Sequence, residues 1–561
     1  MIRARATSAA AALFVTALGC AHAPVPGTAP PAAPASPIDH PRAAAADSTA
    51  PVAPKPARAE RLALIRSQVD ALLTTQARAL WQAWTRGGTP ELEGDPSSCA
   101  ALLAPDTLAF VAEARDAAEG DDRRALTLLH AFLVGEQLAR ALPSGLPAPA
   151  PVVTWEARAV PASRVRSLLA AEPDPARRGA LERAWADAER REAARGEARW
   201  TALASAAQKL GYGSLLALGA ELRGDPVEAL ATLADGVLAT TGDTYRALLD
   251  ALSRVEMGKG LADLRGRDLP RLFRAGEDGR TFPATRLGSD AVSLFAAMGL
   301  AVAASPALTI DGEARAGKDP RALMLPVQVP GDVRVSFAPA AGASALRALL
   351  HEMGAATFYA RIRSPVLEFR RLGTVTAEAW GHLFEALYGE PSWLAERTGV
   401  DEGHLAPIVR AAAARRLHLA RALAARILSE IAREREPDRA REVGRAVLER
   451  AMARHVDADE LDIFLADRDP LLESADALRA VLLAAQAEQH LAARVGSAWW
   501  HSADAGAMLA AAFVDGSRLR PPELSRALGA QALDGAALAA VSGARATAAG
   551  LRLADVTAKS R

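Results

Sequence analysis

The stretch ALRALLHEMGAATFYA, residues 345–360, predicts a helix that carries the adjacent polar residues His351 and Glu352. Its apolar residues recur at helical spacing, which is typical of an amphipathic helix packed on a core. One turn after His351 stands Ala355, whose methyl side chain has no atom that could bind a metal or a proton. The function of the chain therefore depends on what surrounds this His-Glu pair.

The composition predicts a large, mainly α-helical protein. The chain has 561 residues, 50% hydrophobic and 4% aromatic, with alanine, leucine and arginine dominating. This is enough apolar sequence for a large core. Lysine plus arginine and aspartate plus glutamate both number 66, so the formal net charge is zero. A balanced charge gives no electrostatic reason to expect a nucleic-acid partner.

The N-terminus predicts a lipoprotein signal. The sequence MIRARATSAAAALFVTALGC has early arginines, then an apolar run, then small residues before Cys20. It resembles bacterial lipoprotein signals, in which the cysteine is lipidated after cleavage. We expect residues 1–19 to be removed and Cys20 to hold the chain at a membrane of the bacterial cell envelope, facing the periplasm or the exterior. The alternative is an ordinary signal peptide cut near Ala21-His22-Ala23.

Residues 20–57 are rich in alanine and proline and predict an extended tether. From 58 to 561 we expect one helical domain. Helical patterns occur at 100–142, 162–222, 226–256, 287–303, 374–388, 405–432 and from 438 to nearly the end. The segment RALMLPVQVPGDVRVSF, residues 321–337, breaks this rhythm and predicts two short strands around a turn at Pro330-Gly331-Asp332.

Two segments carry a resemblance to a known family. GKDPRALMLPVQVPGDVRVSFAPAAGASALRALLHEMGAATFYA resembles the catalytic segment of helical gluzincin zinc peptidases, the thimet-oligopeptidase-like and angiotensin-converting-enzyme-like families. LGTVTAEAWGHLFEALYGEPSWL resembles their third-ligand helix. The similarity covers about residues 200–540. It implies a large helical gluzincin-like fold, with a small β-sheet next to the His-Glu helix. A deep channel would lie between two helical halves, and a strand beside it could hold an extended peptide by backbone pairing.

The resemblance also implies a site, which is incomplete here. Those families use H-E-x-x-H, whose two histidines lie on one helical face and bind one zinc ion. His351 matches the first ligand, Glu352 the general base and Glu378 the third ligand, while Ala355 replaces the second histidine. His382 follows Glu378 by one turn, so the set His351, Glu378 and His382 is an alternative way to hold zinc.

A second catalytic element is also missing. These families use a tyrosine from a late helix to stabilise the tetrahedral intermediate, and a donor of this kind is worth roughly 10²–10³ in rate. The chain has four tyrosines, and the last of them is Tyr388. Two elements missing together favour a lost activity.

The sequence thus favours a lipid-anchored pseudopeptidase that binds a peptide or a protein without cutting it. We expect no cofactor, or zinc if the site is functional. The first alternative is an active zinc metallopeptidase with an altered ligand set. The second is an envelope scaffold protein in which the channel is vestigial.

Overall fold

A computed structural model describes residues 58–88, 90, 100–141, 151–274, 276 and 280–551. The predicted signal peptide, Cys20 and the tether lie outside the described residues. In the described part, no helix is both long enough and apolar enough to cross a membrane.

The described chain is mainly α-helical, as the composition predicted. The first helices are α1 (Arg58–Arg86), α2 (Pro105–Asp116), α3 (Gly120–Ala141), α4 (Ala162–Ala171), α5 (Pro175–Lys209), α6 (Leu215–Arg223), α7 (Val227–Thr240), α8 (Gly242–Met257), α9 (Leu269–Leu272) and α10 (Leu287–Ala297). The later helices are α11 (Ala343–Tyr359), α12 (Leu367–Arg371), α13 (Thr374–Glu385), α14 (Pro391–Thr398), α15 (Glu402–Arg435), α16 (Ala440–Met452), α17 (Ala458–Ala466), α18 (Glu473–Val495), α19 (Ala503–Phe513), α20 (Pro521–Ala527) and α21 (Ala536–Ala548). The strands are β1 (Val152–Trp155), β2 (Arg158–Pro161), β3 (Leu308–Asp311), β4 (Leu323–Gln328) and β5 (Asp332–Ser336).

The predicted strand pair is present and belongs to a three-stranded sheet of order β3-β5-β4. Strands β4 and β5 are antiparallel, and the turn between them falls at Pro330 and Gly331, as predicted. Strand β3, parallel to β5, was not predicted, and neither was the separate β1–β2 hairpin. The helix expected over 287–303 ends at Ala297, because Gly299 has a positive φ of 71° that helical backbone does not adopt.

Both faces of β4 are covered, which explains its almost continuous apolar sequence. Leu323, Leu325 and Val327 pack on Leu80 of α1, together with the tryptophans of that helix. The alternate residue Met324 faces the core that contains α11. Helix α1 lies in the part of the chain that the family resemblance did not cover, yet it holds the sheet against the His-Glu helix.

The helices α11 and α13 approach each other closely at two glycines. A Cβ atom on Gly354 would lie 2.8 Å from the main-chain oxygen of Trp380 and 2.8 Å from the ring of Phe384. A Cβ atom on Gly381 would lie 2.8 Å from Nε2 of His351. The glycines therefore let the His351 imidazole lie directly against the backbone of α13.

Replacing Gly354 with alanine should destabilise the protein by about 1–3 kcal/mol, because the added methyl group overpacks the contact between α11 and α13. The control is Gly236→Ala on α7, where nothing lies within 4 Å of a new Cβ. That change should stabilise by up to about 1 kcal/mol, since alanine is the better helix former. Urea unfolding of the two variants measures both effects, and a neutral Gly354→Ala would contradict the close packing.

Candidate functional site

The candidate site is built on the facing sides of α11 and α13. His351 on α11 and Glu378 on α13 form an ion pair, with Nε2 and Oε2 3.3 Å apart. Their side chains are 12% and 19% exposed, so solvent reaches both of them. The structure thus places together the residues that match the first and third ligand positions of the zinc peptidases.

Glu385, at the end of α13, is the centre of the polar cluster. Its Oε2 accepts hydrogen bonds from Nδ1 of His351, at 3.2 Å, and from Nδ1 of His382, at 3.0 Å. Its Oε1 forms an ion pair with Nε of Arg347, at 3.4 Å. The two imidazole rings meet edge to face with their centroids 4.8 Å apart. One carboxylate therefore orients both histidines.

The charges in this cluster follow from its neighbours. Burial by itself would lower the pKa of His351, but the charges and hydrogen bonds of Glu378 and Glu385 outweigh burial and raise it to about 10. Burial would likewise raise the pKa of Glu378, but the charge of His351 keeps it below its usual value. Burial lowers the pKa of His382 despite its bond to Glu385. His351 is therefore an imidazolium between two carboxylates, and His382 is neutral.

Glu352, which matches the general base of the zinc peptidases, is bound to the sheet. It is 4% exposed, and its Oε2 accepts a hydrogen bond of 2.9 Å from the backbone N–H of Met324 on β4. This N–H belongs to an edge strand and lies on the side that faces away from β5. Further along the same side, Arg371 donates to the main-chain oxygens of Pro326, at 2.9 Å, and Val327, at 3.1 Å. Side chains thus occupy backbone groups to which an added peptide strand would pair.

The three-ligand zinc site that the resemblance implies does not fit these residues. A catalytic zinc ion takes three protein ligands and keeps one open position. Position 355 supplies a methyl group, and Ala355 is 2% exposed within the main core. His351 has both ring nitrogens paired with carboxylates, so no lone pair is left for a metal in this arrangement. His351 and Glu378 occupy two of the three expected ligand positions, and Ala355 occupies the third without a donor atom.

A different group of donors is more compact. Ligand atoms of His351, His382 and Glu385 all lie within 4.8 Å of one another. Two of these residues, His351 and His382, belong to the alternative zinc-ligand set predicted from the sequence. The third is Glu385 instead of Glu378. Binding a metal there would require the imidazoles to give up their present hydrogen bonds.

The sequence predicts His351, Glu352, Glu378 and His382 at this site, but not Glu385 or its partner Arg347. The sequence signal for Glu385 is its spacing from Glu378 and His382. Glu378, His382 and Glu385 stand at i, i+4 and i+7, so they share one face of α13. A stripe of three ionisable residues on an otherwise apolar helix indicates a polar cluster within the fold.

Comparison with known proteins supports the fold. No family model matches the chain, and no curated protein matches its sequence. A solved structure described as PZ peptidase A with inhibitor 2 is similar, with a TM-score of 0.57 and 13% identity. The alignment covers 89% of this chain and 98% of that chain. The chain therefore has a metallopeptidase-like helical fold.

The raised pKa of His351 predicts a pH dependence of stability. The native state holds a proton on His351 up to about pH 10, whereas the unfolded chain releases it near pH 6.5. The stabilising contribution is therefore complete below pH 6.5 and is lost as the pH rises to about 10. The free energy of unfolding should fall across this window by up to roughly 1.4 kcal/mol per pH unit from this one proton.

The measurement is urea unfolding between pH 6 and pH 10 in the presence of EDTA, for the wild type and His351→Gln. The variant should be less stable at pH 6, and the difference should shrink towards pH 10. His404→Gln removes an exposed histidine as a control and should keep the wild-type slope. Parallel curves for the wild type and His351→Gln would contradict the buried imidazolium.

Proposed function

We propose that this protein is a lipid-anchored component of the bacterial cell envelope that binds a peptide or a protein ligand without cleaving it. The observation that carries the proposal is the buried Ala355 beside a His351 that is held between two carboxylates. The inherited site is thereby a polar cluster satisfied by the protein itself.

Three features support the absence of catalysis. No donor atom stands at position 355, and Glu352 is engaged with the backbone of β4. No tyrosine follows Tyr388 in the chain to stabilise an oxyanion. Catalytic groups of this kind act as a unit, so the loss of several is not repaired by restoring one.

The binding role rests on the fold and on the exposure of the cluster. The similarity to a peptidase bound to an inhibitor extends over most of both chains. His351, His382 and Glu378 retain between 12% and 19% side-chain exposure, so a ligand can reach polar groups there. Since Glu352 and Arg371 occupy the outer edge of β4, the ligand would be recognised by side chains rather than by pairing with that strand.

An active metallopeptidase with an altered ligand set is the second candidate. The compact group of His351, His382 and Glu385 favours it, because two imidazoles and one carboxylate form a known type of zinc site. Metal content separates the two candidates. Stoichiometric zinc in the purified wild-type protein, with cleavage of peptides, would replace the first proposal by the second.

The Ala355→His variant tests the proposal by repairing the motif. It places two imidazoles one turn apart on α11, with Glu378 facing them, so bound zinc should rise from a trace towards one ion per chain. Peptide cleavage should stay at background, because the missing oxyanion donor alone costs roughly 10²–10³ in rate. Zinc is measured by mass spectrometry and cleavage with quenched fluorescent peptides.

The control is the double variant His351→Ala/Ala355→His, which again has one histidine on that face and should lose the gained zinc. Fluorescence anisotropy of labelled peptides should show binding to the wild type in the presence of EDTA. Efficient cleavage by the wild type, or the absence of any peptide or protein ligand, would refute a non-catalytic binding role.

Anchoring has its own test. Cys20→Ser removes the thiol that a lipid would modify, so the protein should move from the membrane fraction to the soluble envelope fraction. Immunoblots of fractionated cells measure this distribution, and Ser48→Ala in the expected tether serves as a control that should remain in the membrane. Unchanged membrane association of Cys20→Ser would overturn the lipoprotein proposal.

A further inference from the structure

A small cavity lies directly behind the polar cluster. About 40 Å³ of it is open to water-sized molecules, and its wall includes His382 and Glu385 on one side. The other side is formed by α15 and α21, through Arg415, Arg416, Ser542 and Arg545. One water molecule needs about 10–15 Å³ by this measure, so the space suits a few waters or one small ion.

Arg415 faces this cavity without a carboxylate partner among the described residues. It is 7% exposed, and its guanidinium lies over the ring of Tyr388 at 5.7 Å. Among the described residues, no side chain or main-chain group forms a hydrogen bond or an ion pair with it. None of its guanidinium nitrogens is both sealed from solvent and unbonded, so the charge keeps contact with water at the cavity. An anion that enters the cavity can therefore pair with Arg415 in place of water.

The nearby carboxylates are already paired with other cations. Glu488 pairs with Arg416 through Oε2 and with Arg545 through Oε1, at 2.6 Å each. Glu385 accepts from the two histidines and pairs with Arg347, as described above. Of the acidic groups around the cavity, none is within ion-pair distance of Arg415 in the described chain. Glu390 also pairs with Arg545, so the carboxylates beside the cavity are engaged with cations other than Arg415.

Two further donors at the cavity wall have no partner. Ser542 is 1% exposed, and its Oγ makes no hydrogen bond within the described structure. The Nη2 of Arg416 is buried and also unpaired among the described residues. A buried hydroxyl and a buried guanidinium nitrogen left unsatisfied each cost about 1–3 kcal/mol, so such groups normally have a bound partner.

We propose that Arg415, Arg416 and Ser542 form a binding site for a small monovalent carboxylate. A carboxylate supplies one negative charge and up to four acceptor positions, which matches one unpaired cation and two unpaired donors. Its size matches the cavity. The carboxylate comes either from a free small acid or from the end of a peptide ligand. The second source rests on the proposed function, and the first does not.

The first test uses sodium acetate as the probe with the full chain in detergent micelles, at ionic strength held constant with sodium methanesulfonate. Isothermal titration calorimetry should show acetate binding to the wild type, and thermal unfolding should shift upwards with acetate. The unfolding temperature should shift less with acetate in Arg415→Gln, because this variant lacks the charge. Its affinity for acetate should fall at least about tenfold, the loss expected for one charge-assisted hydrogen bond.

Two variants keep this test independent of folding defects. Ser542→Ala removes one oxygen from a buried helix position and should weaken acetate several-fold without changing the fold. Arg410→Gln, on the same helix as Arg415, removes an arginine already paired with Glu256 and should leave acetate binding unchanged. No acetate binding to the wild type, or equal acetate responses in the wild type and Arg415→Gln, would overturn the proposal.

A second arm distinguishes the two sources of the carboxylate. If a labelled peptide with a free C-terminus is displaced by acetate, and its C-terminal amide binds much more weakly, the site receives the end of a peptide. If acetate binds but peptides are unaffected, the site receives a free acid. Both results support the site, and the acetate measurements stand whether or not the chain binds peptides.

Discussion

The close contact between α11 and α13 is the constraint on which the rest of the structure depends. Gly354 and Gly381 allow the two helix backbones to approach until the His351 ring rests on α13. At this distance the carboxylates of Glu378 and Glu385 reach both nitrogens of that ring. The same contact holds α11 beneath the sheet, where Glu352 bonds to β4. Packing and electrostatics are therefore coupled. The glycines that permit the contact also bring the two carboxylates close enough to keep His351 protonated.

Under the proposal that this cluster descends from a metal site, the arrangement explains how such a site would keep its shape without a metal. Under the same proposal, the loss of one imidazole would leave His351 and Glu378 with opposite charges at a distance where they attract each other. A histidine that would offer a lone pair to zinc instead carries a second proton between two carboxylates. The buried charges remain compensated, so no unpaired charge destabilises the contact between α11 and α13. A polar cluster of this kind can persist through stability alone.

The sequence predicted those parts of the fold that depend on local pattern. The helical periodicity, the β4–β5 pair and the pairing of His351 with Glu378 follow from spacing and from family resemblance. The β1–β2 hairpin did not, because its turn places Glu156 and Ala157 at positive φ without the asparagine or glycine that marks such turns. Strand β3 has four residues and pairs with a partner more than twenty positions away. The position of Arg415 does not follow from the sequence either, because α15 carries many arginines and only the fold shows that this one lies at a cavity and over the ring of Tyr388.

The occupied outer edge of β4 has a consequence for the behaviour of the protein at high local concentration. An uncovered edge strand is a template on which a second chain can add its own strand, and continued addition leads to aggregates. Glu352 and Arg371 bind backbone groups along that edge, and a charged side chain must leave before another strand can pair there. A protein at high concentration meets its own copies often. Glu352 and Arg371, which reach β4 from α11 and α12, therefore act as a barrier to self-association at the strand where the resemblance would place a peptide substrate.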